Sequence, residues 1–279
     1  MFLEKNIDEY LYYELDPGFA RRAKILLKNI AISNKENVLE VGCGRGFYLR
    51  ALKKIYPNAK ISGLEIKDEY IRQANETTKG LDVTIVKGDG RRLPFKDKTF
   101  DRIICSEVLE HIDNDSGALE EMYRVLKPHG LAIFTVPHKN YPFLWDPLNW
   151  ILERTFHTHI PSHIWWLAGI WADHVRLYAE DDFTKKITQA NFQIDKVWWA
   201  TRYCLPFAHF LLYGIGKNIV EKGLGGSFDR FNNQKYSKKN VSLLHRAALE
   251  LFSFFDKKND ATLVAKGEPY LNIVVRAKK

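Results

Sequence analysis

Short apolar segments alternate with helical segments through the first half of this 279-residue chain. Apolar runs predict strands, and the segments between them carry apolar residues at helical spacing. The predicted strands lie at 38–41, 60–66, 83–88, 100–105 and 131–136, and the predicted helices at 21–30, 47–56, 68–78 and 116–127. Because parallel strands need crossover connections, this alternation predicts a parallel sheet with helices on both faces.

The alternation breaks at Pro137 and resumes with a predicted helix at 180–190 and predicted strands at 192–199 and 271–277. The expected fold class is α/β: a Rossmann-like, doubly wound, seven-stranded, mostly parallel sheet with two aromatic or basic insertions. The predicted segments are a helical cap (1–34), a ligand-binding core (35–137), an aromatic insertion acting as a substrate or membrane lid (138–175), more core (176–200), an apolar and basic insertion (201–265), and the last strand (266–279).

Composition narrows the class of protein. The chain is 46% hydrophobic and 27% charged, which is typical of a globular protein. It lacks an apolar stretch long enough for a membrane-spanning helix, and its N-terminal residues lack the apolar core of a secretory signal. Three cysteines, Cys43, Cys105 and Cys204, are too few and too far apart for a disulfide scaffold or a zinc knuckle. We therefore expect a reducing, cytoplasmic compartment.

The net charge of +8 comes from the C-terminal quarter of the chain. Residues 201–279 hold 14 Lys and Arg against 6 Asp and Glu, whereas residues 1–200 balance to zero. This distribution fits either a local anionic partner, such as lipid headgroups or nucleic acid, or a solvated basic surface.

A glycine-rich loop follows the first predicted strand. Its sequence, Glu40-Val41-Gly42-Cys43-Gly44-Arg45-Gly46, lets the backbone turn tightly and approach a ligand closely. A dinucleotide site has the spacing G-x-G-x-x-G, but Phe47 occupies the third glycine position of that pattern here.

This loop resembles motif I of the class I S-adenosylmethionine-dependent methyltransferases (methyltransferase type 11, UbiG-like). The resemblance extends to Glu65 after the second strand, to the segment 87–90 after the third, to 105–111 after the fourth, and to Arg124-Val125-Leu126-Lys127-Pro128-His129-Gly130. It implies S-adenosylmethionine (SAM) as the cofactor, with ribose bound by Glu65 and the adenine amino group by Asp89. Glu40, near the loop, can hold the ammonium end directly or through water, or can instead cap the loop backbone at the end of the strand. The expected cofactor-binding residues are Glu40, Gly42, Cys43, Gly44, Gly46, Glu65, Ile66, Asp89, Gly90 and Ser106, with Cys43 as a packing residue.

The expected catalytic residues are His111 and Glu107, after the fourth strand. Histidine titrates near neutrality and can take a proton from a hydroxyl acceptor, although E-H-I also occurs in the superfamily where it only shapes the cofactor pocket. Glu107, Glu110 and His111 are expected to share one face of a helix. With His174 they resemble the divalent-cation ligands of UbiG-type ubiquinone O-methyltransferases and of small-RNA 2′-O-methyltransferases. A divalent cation is therefore a second expected cofactor.

All seven tryptophans lie between 145 and 199, and five of them, including Trp165 and Trp166, fall in the first insertion. Tryptophan prefers the headgroup boundary of a bilayer, so 141–171 and the segment 203–222 are expected to contact a membrane peripherally at the inner face. The alternative is a helical lid or dimer interface without a bilayer. Either predicts a methyltransferase for a bulky, lipophilic small-molecule acceptor such as a lipid or prenylated quinone precursor. No RNA-binding motif is present, so we expect no nucleic-acid partner, with an RNA 2′-O-methyltransferase as the alternative.

Overall fold

The computed structural model describes residues 2–12, 14–33, 35–164, 167–212, 243–261 and 265–279. Its strands are β1 (Asn37–Val41), β2 (Lys60–Glu65), β3 (Val83–Lys87), β4 (Phe100–Ser106), β5 (Leu126–Pro137), β6 (Gln193–Ala200) and β7 (Asn272–Lys278). They form one sheet in the order β3-β2-β1-β4-β5-β7-β6, in which β7 alone runs antiparallel to its neighbours. The expected seven-stranded, mostly parallel sheet is confirmed.

Helices cover both faces of the sheet. They are α1 (Phe2–Leu11), α2 (Pro17–Asn29), α3 (Phe47–Ile55), α4 (Asp68–Thr77), α5 (Asp115–Val125), α6 (Pro147–Phe156), α7 (Glu180–Gln189) and α8 (Leu243–Ala261). Alternate residues of β1 pack to opposite sides: Val38 lies in a core cluster with Leu26 and Leu49, and Leu39 in a second cluster with Leu119. The order of strands reverses between β1 and β4, and ligands of doubly wound sheets bind at that carboxyl edge.

Local sequence explains how α2 begins. Asp16 is the N-cap, and its side chain accepts a hydrogen bond from the Phe19 amide at 3.1 Å. Pro17 occupies the first helical position, where the missing N–H group costs nothing. The helix therefore begins four residues before the predicted start at residue 21.

The boundary between α5 and β5 differs from the prediction. The helix ends at Val125, not 127, and β5 begins at Leu126 and runs through Pro128. Phe100 pairs with Leu126, and an irregularity in register follows before Arg102 pairs with Leu131. The buried Leu126 side chain and this bulge carry the strand past the proline, which ends a helix but is tolerated at a bulge.

The two insertions contain helices that the sequence analysis did not predict, α6 and α8. Residues of both insertions meet in a third buried cluster composed of Tyr141, Trp145, Ile170, Cys204, Ala208, Phe252 and Leu271. Trp165, Trp166 and residues 213–222, which entered the membrane prediction, lie outside the described residues. Among the described helices, none is both long enough and apolar enough to cross a bilayer. All three cysteines are buried free thiols.

Candidate active site

The glycine loop bends sharply at the carboxyl end of β1. Gly42, Gly44 and Gly46 have φ values of +69°, +50° and +82°, the left-handed region that favours glycine. A Cβ atom at Gly42 would lie 2.5 Å from Val108, whereas one at Gly44 would meet no atom within 4 Å. The loop is thus packed tightly on one side and has open space at Gly44.

Glu65 fixes this loop to the end of β2. Its Oε2 accepts a hydrogen bond from the Gly44 amide at 2.9 Å, and its Oε1 accepts from the Ile66 and Lys67 amides at 2.8 and 2.9 Å. The side chain is buried, and three backbone donors orient it. Ile66 follows with more than half of its surface exposed, which leaves an apolar face beside the carboxylate.

Glu40 lies beneath the loop on β1 and is 3% exposed. Burial raises the pKa of its carboxyl group well above the usual value, and the charge of Glu65 raises it further. Its Oε2 has no hydrogen-bond partner within the ranges described above. A buried acid with an unpaired oxygen is well suited to a cationic ligand group.

Asp89 and Gly90 follow β3. The Asp89 carboxylate accepts hydrogen bonds from the Arg91 amide at 2.8 Å and from the Arg91 guanidinium at 2.6 Å. These bonds hold the pKa of Asp89 below its usual value. A Cβ atom at Gly90 would lie 3.4 Å from Val41, so this turn packs beside the start of the glycine loop.

These residues fit SAM as the resemblance implies. The open space at Gly44, the orphaned Glu40 oxygen and the oriented Glu65 carboxylate lie together at the carboxyl edge of the sheet. Burial raises the pKa of the Cys43 thiol, so it is a neutral packing residue and not a nucleophile. The Ser106 hydroxyl hydrogen bonds with Thr135 Oγ1 at 2.9 Å and lies beside the Tyr48 hydroxyl at 3.4 Å.

The expectation that Glu107 shares a helical face with Glu110 and His111 is wrong. Glu107 has a φ of +55°, a short 3₁₀ turn covers Leu109–His111, and α5 begins only at Asp115. The left-handed residue redirects the chain, so the spacing of an α-helix does not apply.

Glu107 instead joins the helical cap to the sheet. Its Oε1 accepts from the Thr135 hydroxyl at 2.9 Å, and its Oε2 accepts from Asn272 Nδ2 at 2.8 Å. The same Oε2 lies 3.2 Å from Nη1 of Arg22 on α2. Three donors thus occupy the carboxylate, and its role as a proton acceptor stays a prediction.

Glu110, His111 and His174 do come together, and their ligand atoms lie within 4.8 Å of one another. Glu110 is fully buried, and its Oε1 lies 3.8 Å from Nε2 of His174. Burial, and next the charge of Glu107, raises the pKa of Glu110, while burial, and next His111, lowers the pKa of His174 to about 3. Glu107, the fourth predicted ligand, does not belong to this cluster.

His111 is oriented by a backbone carbonyl. Its Nδ1 lies 2.7 Å from the Asp173 oxygen, and its ring packs edge-on against His174 at 4.7 Å. A carbonyl can only accept a hydrogen bond, so Nδ1 carries the proton of the neutral ring and Nε2 keeps its lone pair. His111 is therefore equipped to accept a proton at Nε2.

Sequence reasoning missed the residues that hold Glu107: Arg22, Thr135 and Asn272. They come from α2, β5 and β7, and none carries a local motif. The apolar run 131–136 indicated the strand that carries Thr135 but not this contact.

Residues 39–134 match the family described as "Methyltransferase domain". A stretch of 112 residues, 39% of this chain, is 33% identical to 46% of the demethylmenaquinone methyltransferase of Staphylococcus carnosus (strain TM300). The corresponding enzyme of Staphylococcus aureus (strain JH9) is 31% identical over the same share of each chain. The match thus spans less than half the length of these relatives.

Solved structures share the fold. A SAM-dependent methyltransferase from Mesorhizobium loti has a TM-score of 0.55 at 14% identity, covering 93% of this chain and 98% of that one. Phosphoethanolamine N-methyltransferase 2 from Haemonchus contortus, in complex with SAM, has a TM-score of 0.55 at 17% identity, covering 99% and 57%. The family match over residues 39–134 and these likenesses agree on one fold, that of the SAM-dependent methyltransferases.

Proposed function

We propose that this protein transfers a methyl group from SAM to a bulky apolar acceptor, a lipid or a prenylated quinone precursor, at a membrane surface. The observation that supports the proposal most directly lies at the carboxyl edge of the sheet. There Glu65 orients the glycine loop, and His111 and Glu107, the proposed reaction residues, follow the neighbouring strand. The relatives that match part of this chain are named demethylmenaquinone methyltransferases, and this name supports a quinone-type acceptor.

Different residues of the chain have different roles in the proposed reaction. When bound, SAM supplies an electrophilic methyl group on a sulfonium. The glycine loop and Glu65 would hold the nucleoside, Asp89 would accept from the adenine amino group, and Glu40 would face the ammonium end. For a hydroxyl acceptor, His111 Nε2 would take the hydroxyl proton while the methyl carbon exchanges its bond to sulfur for a bond to the acceptor oxygen, with S-adenosylhomocysteine as the leaving group. A positioned base of this kind contributes on the order of 10²–10⁴-fold.

The proposed acceptor class follows from the insertions. Their shared cluster is apolar, and exposed large side chains lie beside it: Phe143, Leu144, Leu148, Ile151, Phe207 and Leu211. Exposed apolar side chains grouped in this way favour a lipid or a bulky apolar ligand. We place the protein in the cytoplasm, with 141–171 and 203–222 as the proposed peripheral contact at the inner membrane face.

The test is mass spectrometry of lipid extracts incubated with the protein and methyl-labelled SAM. We expect label in a lipophilic product, and we expect the protein to float with liposomes. Label only in water-soluble acceptors, with no liposome association, would replace this proposal by a small-molecule methyltransferase whose insertions form a lid.

The cluster of Glu110, His111 and His174 favours a second candidate, an RNA 2′-O-methyltransferase that uses a divalent cation. Carboxylate with imidazole suits manganese or zinc better than magnesium. This candidate predicts Mn²⁺ binding that is lost in His174→Ala and salt-sensitive RNA binding. Absence of RNA binding at low salt excludes it, whatever the outcome with Mn²⁺.

A further inference from the structure

A groove of about 330 Å³ lies where β5 leaves the sheet. It is lined by His138, Lys139, Asn140, Glu153, Arg154 and Ala179. His138 follows the end of β5, and none of the lining residues is a candidate residue of the methyl-transfer site. The groove is therefore distinct from the site of proposed methyl transfer.

His138 brings an unused polar group to this groove. The residue is 6% exposed, and its amide is committed to the Leu271 carbonyl at 2.9 Å. Its Nδ1 has no hydrogen-bond partner among the residues for which side chains are described. An unpaired, buried ring nitrogen is costly unless a ligand or a water completes it.

Two cations stand beside His138. Lys139 is exposed, and no acidic side chain of the described chain forms an ion pair with it. The Arg154 guanidinium lies 4.1 Å over the Trp150 ring, and its Nη2 reaches Asn140 Oδ1 at 3.3 Å. Stacking fixes the plane of the guanidinium, which prepares it to bind an oxyanion with two parallel hydrogen bonds.

Glu153, the acidic residue that lines the groove, contacts Trp171 and Arg154. Glu153 Oε1 accepts from the Trp171 indole, and its Oε2 lies 3.9 Å from Arg154. Ala179, the N-cap of α7, also lines the groove, and the first turn of that helix carries Glu180, Asp181 and Asp182, of which Asp181 pairs with Lys266. The first acidic residue of that helix, Glu180, is engaged by the Trp199 indole at 2.8 Å.

An apolar surface adjoins the cationic end of the groove. Ile151 is exposed and lies three residues before Arg154, so the two are neighbours on α6. The exposed Phe143 ring packs edge-on against Trp150 at 5.2 Å, and Arg154 stacks on the same tryptophan. One aromatic side chain thus joins the groove to the apolar surface.

We propose that this groove binds the phosphate head of an amphiphile whose apolar chain lies along Phe143 and Ile151. Phosphate presents enough oxygens to accept hydrogen bonds from Lys139 and Arg154 together. The amphiphile is either a phospholipid in a bilayer or a free molecule such as a prenyl phosphate. This binding does not depend on methyl transfer, so it stands or fails separately from the proposed function.

The test is isothermal titration of the full chain with dodecyl phosphate below its micellar concentration. Inorganic phosphate and dodecyl maltoside serve as ligands that lack the chain or the charge. We expect Lys139→Gln and Arg154→Gln each to weaken dodecyl phosphate binding about tenfold, the loss typical of a charge-assisted hydrogen bond. Lys96→Gln, a change at an exposed lysine away from the groove, leaves it unchanged. SAM binding stays at the wild-type level in all three variants.

Loss of dodecyl phosphate binding in the two groove variants with retained SAM binding supports the proposal. Equal binding of dodecyl maltoside, or binding that is insensitive to Lys139→Gln and Arg154→Gln, overturns it. Flotation with phosphatidylglycerol vesicles then separates the two sources. Vesicle binding that needs Lys139 and Arg154 assigns the phosphate to a bilayer lipid, and binding of the monomer alone assigns it to a free amphiphile.

Discussion

Single carboxylates define the cofactor edge, and each has a different environment. Glu65 is buried among three backbone amides, Glu40 is buried with an unpaired oxygen, and Glu107 is held by Arg22 and two neutral donors. We therefore expect substitutions that remove the charge to have a different effect at each of the three acids, so that their roles can be separated by experiment.

Removal of the Glu65 carboxylate should weaken SAM binding. Glu65→Ala leaves three amides at the loop without their acceptor and removes the proposed ribose ligand. We expect the Kd for SAM to rise about 10- to 100-fold, with a smaller rise for Glu65→Gln, which keeps one acceptor oxygen. Titration calorimetry measures this, with the exposed Glu76→Ala on α4 as the control. An unchanged Kd in Glu65→Ala would contradict the assignment.

SAM binding should release a proton from Glu40. Burial raises its pKa, so in the free protein it holds its proton at pH values where an ordinary glutamic acid is ionised. An ammonium group beside it favours the carboxylate, and affinity therefore increases with pH between the usual and the raised pKa. Calorimetry in buffers of different ionisation enthalpy measures the release. Glu40→Gln should abolish it, and equal proton release in that variant would assign the proton elsewhere.

The pair of Arg22 and Glu107 should stabilise the fold. Their side chains are 12% and 21% exposed, and Arg22 connects α2 to the reaction edge. We expect Arg22→Met to lower the free energy of unfolding by about 1–3 kcal/mol, because Glu107 then keeps its charge without its cationic partner. In a double-mutant cycle with Glu107→Gln, measured by urea unfolding, the combined loss should be smaller than the sum. Strict additivity would show that the two side chains are not coupled.

At the scale of elements, buried polar contacts join the start of α6 to the turn at Gly169. Asp146 caps α6 through the Asn149 amide at 3.1 Å and also accepts from the Ile170 amide at 2.9 Å. Gly169 has a φ of +60°, and a Cβ atom there would lie 1.7 Å from Asp146 Oδ2. The insertion therefore has a defined structure and is not a loose loop.

Two glycine substitutions test this contact. Gly169→Ala forces Asp146 out of its position as well as straining the backbone, so we expect a loss of about 3 kcal/mol or more. Gly80→Ala is the matched control, because Gly80 has a φ of +78° but nothing within 4 Å of its Cβ position. The control should lose about 1 kcal/mol, for strain alone. Urea unfolding measures both, and equal losses would rule out the steric contact.

Local chemistry explains which elements were predictable. The glycine loop, Glu65 and the strand–helix alternation depend on turns and periodicity within short windows, and the structure has them where expected. The course of the chain at Glu107 depends on Thr135, Asn272 and Arg22 from distant segments, so helical spacing was misleading there. The helices α6 and α8 were missed because the insertions that contain them pack in a third cluster assembled from distant segments of the chain.

At the scale of the whole molecule, chemistry is concentrated on one edge of the sheet. The proposed cofactor residues lie at the ends of β1, β2 and β3, the proposed reaction residues follow β4, and the proposed phosphate groove follows β5. Parallel strands make this arrangement possible, because their carboxyl ends share an edge. The excess positive charge of residues 201–279 adds a long-range attraction to anionic surfaces that should weaken as salt rises.

Because this attraction is electrostatic, binding of the chain to anionic vesicles should depend on the salt concentration. We expect flotation with phosphatidylglycerol vesicles to fall as NaCl rises from about 0.05 to 0.5 M, where the Debye length shortens severalfold. SAM binding at the buried carboxylates should change little over the same range. Vesicle binding that does not change with salt concentration would indicate that apolar side chains alone make the contact.

The central claim is that the glycine loop binds SAM, and calorimetric titration of the chain with SAM tests it most directly. We predict one SAM per chain, no binding of NADH, and loss of SAM binding in Gly44→Val, where a β-branched residue meets a φ of +50° and fills the open space. Gly80→Ala should bind as the wild type does. Absence of SAM binding to the folded chain, or binding of NADH in its place, would contradict the account.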